Sequence, residues 1–275
     1  MRRFIYTFLY DFIRLSRPTL IIIPLILSVL AIPFTPLSYI VAKLTTGPID
    51  PSLDSLLNNR IEEVVFEVLE YYQGRSAIIS SLFPSLITLF FGYTLSRDIV
   101  YFKEHIEFTQ HLKGVGTYLF SRYLSIASFS ILFSAPIQIL PYALISGIGF
   151  GEVFSMVSYL YLGTISILSI LMVVSILTRS PGLSLVTTIF ISLASLVMDE
   201  PIYLKYGLHT AHMYVLMRTE LIRLDLMRMT GEVDIEEYNL IQSSLESLYL
   251  YPLLLSIPLL ILSYILLRRV SVYEY

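Results

Sequence analysis

The chain predicts an all-α polytopic membrane protein. Three observations carry this: 56% of its 275 residues are hydrophobic against 14% charged, mean hydropathy is +0.75, and the charges are segregated along the sequence. Soluble domains hold about 25% charged residues, so the shortage of charge weighs more than the apolar excess. Several apolar runs reach the roughly 20 residues that a helix needs to cross a bilayer. The reading is one transmembrane domain over 1–275, with six spans, an N-terminal interfacial helix, an amphipathic cytoplasmic helix and helical extracellular excursions.

Residues 1–17 read as an interfacial helix. Phe4, Ile5, Phe8, Leu9, Phe12 and Ile13 share one face, while Arg2, Arg3, Asp11 and Arg14 decorate the other. Arg17-Pro18 makes a bend, and the interrupting charges argue against a cleavable signal. Span 1 is expected at 19–40, with Pro24, Pro33 and Pro36, which membrane helices tolerate. A first polar excursion, 41–76, opens on Gly47-Pro48-Ile49-Asp50-Pro51 and continues as an amphipathic helix over 54–72. Span 2 is expected at 77–95.

Residues 95–122 are the most polar stretch between two long apolar runs, with a short surface helix expected over 99–112. Spans 3, 4 and 5 follow at 117–145, 153–177 and 183–198, joined by a Gly-rich turn and by Thr178-Arg179-Ser180-Pro181-Gly182. A second excursion occupies 199–248. Span 6 at 249–267 ends on Arg268-Arg269.

Six spans place both termini on one side. On that side the segments carry 11 basic and 5 acidic residues, leaving 7 basic and 16 acidic for the other. Lys/Arg in short loops set orientation, so the termini are expected in the cytoplasm and the chain in the plasma membrane. No expected span has a charge near its middle, which argues against an ion-coupled carrier.

Motif chemistry is sparse. There is no cysteine, no P-loop, no H-E-x-x-H and no G-x-S-x-G. His209-Thr210-Ala211-His212 places two imidazoles on one helix face, but two histidines without a third ligand are a weak metal signal, and they read as surface residues. No metal is expected. Asp199-Glu200-Pro201 reads as two acids solvating a span end. Hydroxyls enrich spans 2 and 5. Thr88, Tyr93, Thr188, Ser192 and Ser195 either pack helices together or line a path between two copies.

The order of these elements resembles the transmembrane permease subunit of type-2 ABC exporters. Locally, Glu104 and Glu107 resemble the acidic start of that family's central helix. Tyr118-Leu119-Phe120-Ser121-Arg122-Tyr123-Leu124 resembles its approach to span 3, while Leu112 stands where the usual proline would be.

The resemblance implies a coupling helix at 99–112, with Phe102, Lys103, Glu104, His105, Glu107, Phe108 and His111 meeting a separate ABC ATPase. Phe8, Phe12 and Arg14 of the interfacial helix would share the push. ATP and Mg would sit on that ATPase, so this chain would carry no cofactor and would not itself be an enzyme. It would work as a homodimer or beside a similar chain in the lipid bilayer, exporting a substrate the sequence does not select, with no nucleic acid involved. Two other classes compete: a membrane-surface hydrolase using His209 and His212, and a non-catalytic assembly subunit.

Overall fold

The computed structural model describes residues 2–31, 75–101, 115–146, 150–197, 202–230 and 235–273. Among these residues it is helical, with no strand. The helices are α1 (Arg2–Leu15), α2 (Pro18–Ala31), α3 (Arg75–Val100), α4 (Val115–Ser146), α5 (Phe150–Thr178), α6 (Pro181–Val197), α7 (Ile202–Leu208), α8 (Thr210–Thr230), α9 (Ile235–Ser247) and α10 (Leu250–Tyr273). The expected helix at 54–72, residues 147–149 of the Gly-rich turn and nearly all of 99–112 lie outside the described residues, while Gly151 falls within α5.

Among the described residues two stretches are long and apolar enough to cross a membrane: Val153–Thr178, and Ile235–Leu267, which runs through α9 into α10. A bent pair, Phe4–Leu15 with Leu20–Val29, meets at 67° and makes a third if it is one span. The chain is therefore a membrane-compatible helical protein. Within the second stretch the apolar run lies in α10, from Leu250 on, whereas α9 ahead of it carries Glu236, Glu237 and Glu246.

α5 is the axis of the bundle. It packs against α3, α4, α6, α7, α8 and α10, and 72% of its most apolar window is buried. Close approach is built into the sequence at Gly92, where an added Cβ would lie 2.6 Å from Leu171 Cδ2. At Gly163 it would lie 3.1 Å from the carbonyl oxygen of Leu208. An aromatic spine joins three helices: Phe129 of α4 meets Phe12 of α1 and Phe91 of α3 edge-on, both at 5.0 Å.

The turn between α5 and α6 has a sharp local cause. Arg179 adopts a left-handed backbone, φ 51°, and so ends α5 where glycine is the usual choice. Ser180 then caps α6, its Oγ accepting from the Leu183 amide at 3.4 Å. Pro181 follows at the first helical position, where no amide is needed.

Candidate functional site: a buried charge lock and a histidine cavity

The first cluster forms where α1, the end of α3 and the start of α4 meet. One face of α1 packs on α4 and buries Asp11 together with Leu15. Asp98 lies in the last turn of α3, and Arg122 in the second turn of α4. The side chain of Arg122 is fully buried and reaches both acids: Nη1 donates to Asp11 Oδ1, and Nε pairs with Asp98 Oδ2.

Two outer guanidiniums close on the same acid from either oxygen. Arg14 Nη1 is 3.9 Å from Asp98 Oδ2, and Arg97 Nε is 3.9 Å from Oδ1. Serine hydroxyls of α4 fasten α1 alongside: Ser125 Oγ donates to the Phe8 carbonyl at 3.2 Å, and Ser121 Oγ to that of Phe4 at 3.4 Å. The network is only partly satisfied, since Asp11 Oδ2 and Arg122 Nη2 are buried with no hydrogen-bond partner among the described residues. Burial raises the Asp11 carboxyl above its ordinary pKa, although Arg122 beside it pulls the other way.

This corrects the view of α1 from sequence. Asp11 faces the protein rather than water, and Ile5, Leu9 and Ile13 face out. Helical periodicity separates faces but does not say which one a neighbouring cation claims. Phe12 packs on Phe129, Phe8 is half-buried beside Phe12, and Arg14 turns back to Asp98. Sequence reading missed the Asp11–Arg122–Asp98 lock. Its signal was an arginine several residues inside an apolar run, with acids at the borders of two others.

Beside the lock, three serines join three helices. Ser175 Oγ of α5 and Ser184 Oγ of α6 both bond Ser96 Oγ of α3, at 2.8 and 3.0 Å. All three residues are buried.

The second cluster lies at the α7–α8 junction, docked on α5 and α6. His209 Nε2 is 3.1 Å from the Ser192 carbonyl and 3.0 Å from Ser195 Oγ. Ser195 Oγ already donates to the same carbonyl at 2.8 Å. The proton on His209 is therefore assigned to Nε2, donating to Ser192, so His209 is not placed as a base for Ser195.

His212, 8% exposed, faces a cavity of about 20 Å³ lined by Ser85, Thr88, Thr164 and His209 among others. That space holds about one water. Burial lowers both imidazoles below their usual pKa, His209 to about 4 and His212 to about 3, so both are neutral. The histidines are thus interior, not at the surface as read from sequence. Leu208 to Val215 is buried throughout because the chain doubles back against Gly163. Among the described residues no group of three or more potential metal ligands forms.

The structure brings Thr88, Ser192 and Ser195 to this junction. Thr188, also buried, lies one turn along α6 and donates to Ser184 O at 2.8 Å. Tyr93 stands apart, on the outside. These hydroxyls, Tyr93 excepted, turn into the bundle of a single chain. Phe102, Lys103, Glu104, His105, Glu107, Phe108 and His111 lie outside the described residues, whose nearest members are Tyr101 and Val115. No protein-family model, curated protein or solved structure matches the chain.

Proposed function

We propose that the chain is the membrane-spanning subunit of an ATP-driven exporter of the type-2 ABC kind. The observation that supports it is where the charge lock sits. Residues 102–114 leave from the end of α3 and return at the start of α4. Asp98 and Arg122 stand at those two roots and are joined, and Arg122 also holds Asp11 of α1. A force applied to 102–114 by a partner would pass into α1, α3 and α4 as a unit instead of bending one helix.

In this reading Glu104, Glu107 and their neighbours contact a separate ATPase that holds ATP and Mg. Two such chains, identical or similar, face each other. Six spans set both termini in the cytoplasm, and the chain lies in the plasma membrane. The excursions at 41–76 and 199–248 shape the exit.

The test is affinity capture of the full chain from its native membrane, with identification of the partner. Capture of an ABC ATPase is expected. Charge reversal, Glu104→Lys with Glu107→Lys, should weaken that association and lower ATP turnover while helicity stays unchanged. Absence of any ATPase, or unchanged turnover in the reversed variant, would overturn the proposal.

A further inference from the structure

Two exposed stripes of the same composition converge on Asp98. On α1, Tyr6, Tyr10 and Arg14 recur every four residues. On α3, Tyr93 and Arg97 do the same, and Tyr101 continues the spacing in the turn just past its end, its amide bonded to the Arg97 carbonyl at 2.9 Å. Four-residue spacing puts each set on one helix face. Tyr6 is 71% exposed, and Tyr93 and Tyr101 are 41% and 45%. Their arginines reach opposite oxygens of one buried carboxylate, which holds the two stripes side by side.

Charge and polarity say what such a surface fits. With Asp11, Asp98 and Arg122, the two outer arginines leave one positive charge in excess. Arg17 adds a second, exposed at the elbow between α1 and α2, with no ion pair among the described residues. Next to these cations the helices turn large apolar side chains outward: Ile13 on α1, Ile22 and Ile26 on α2. Tyrosine and arginine settle at headgroup level in a bilayer, and exposed aliphatic faces match acyl chains.

We infer that Arg14, Arg17 and Arg97, framed by these tyrosines, form a clasp for the headgroup of an anionic phospholipid, whose chains lie along α1 and α2. The lipid phosphate supplies the negative charge that the lock lacks at its rim. The inference needs this end of the bundle at a membrane surface but does not depend on an ATPase partner. Loss of the exporter reading therefore leaves it standing.

The test exploits the absence of cysteine. Ser16→Cys, exposed beside Arg17, takes a fluorophore. A second label at Tyr249→Cys, in the exposed turn just before α10, reports bulk lipid. The full chain is reconstituted in phosphatidylcholine vesicles containing brominated phosphatidylglycerol, or equal brominated phosphatidylcholine.

The phosphatidylglycerol form is expected to quench the label at position 16 with about fivefold preference per arginine engaged. The label at 249 should show none. Arg14→Gln with Arg97→Gln should remove most of the preference. Arg17→Gln alone, away from the buried lock, should cost about fivefold, which keeps the test decisive if the double variant fails to fold. Equal quenching by the two lipids would overturn the inference. So would a preference unchanged in Arg17→Gln, or one abolished by free inorganic phosphate, which would mark a soluble-anion site.

Discussion

Arg122→Met is the perturbation that probes the lock most directly. The methionine fills much of the same space but strips buried Asp11 of the cation it is bonded to and leaves buried Asp98 only the two outer arginines at 3.9 Å. Removing one partner of a buried ion pair costs about 3–5 kcal/mol, because the charge left behind stays desolvated. At about 2–4 °C per kcal/mol for chains of this size, thermal unfolding in detergent, followed by far-ultraviolet circular dichroism, should fall by about 6–20 °C. The loss should also depend on pH.

Burial already raises the Asp11 carboxyl, and the variant removes the cation that restrained it. A folded carboxyl raised above its unfolded value binds its proton more tightly than the unfolded chain does. It favours the fold at low pH and loses that contribution as pH rises through the folded value. Arg122→Met should therefore be closer to the parent at pH 5 than at pH 8. Replacing all three together, Asp11→Leu, Asp98→Leu and Arg122→Met, should recover most of the stability. A shift below about 2 °C in Arg122→Met, with no pH dependence, would refute the reasoning.

Three further outcomes follow from the packing. Gly92→Val should destabilise by about 1–3 kcal/mol through overpacking against Leu171, and Leu171→Ala should restore part of it in a thermal melt. Ser96→Ala removes two buried hydroxyl contacts. Helix-to-helix hydrogen bonds in membranes average about 0.6 kcal/mol, so a loss near 1 kcal/mol is expected, with Ser96→Ala and Ser175→Ala less than additive in a double-mutant cycle. Burial lowers His209 to about 4, so its contribution is full above the unfolded histidine value of about 6.5 and fades as pH falls toward 4. His209→Gln should flatten the acid limb of stability between those values, measured against the parent.

Apolar runs and turn residues made the helices readable in advance. The break at Arg17-Pro18 and the Ser180-Pro181 start of α6 sit where local chemistry puts them, whereas the break at His209 between α7 and α8 carried no signal that was read. What the sequence concealed was pairing. Asp11, Asp98 and Arg122 counted as water-facing charges because hydropathy scores each residue alone, whereas their burial depends on one another across three helices. His209 and His212 looked superficial for a related reason. They belong to a stretch, 199–248, that reads as polar as a whole, although Leu208, Ala211, Met213 and Val215 beside them are apolar, and α7 and α8 fold that part back against α5, where Gly163 admits the Leu208 carbonyl. Tyr93 shows the converse: a hydroxyl among buried hydroxyls that the helix turns outward.

Asp11 and its arginine stand 111 positions apart, and this separation orders the birth of the molecule. The ribosome delivers the acid long before the cation exists. Until α4 emerges and draws α1 under cover, the nascent helix must keep that carboxyl wetted or protonated. Chains truncated short of residue 122 should leave that first helix accessible to protease, and chains extended past α4 should protect it.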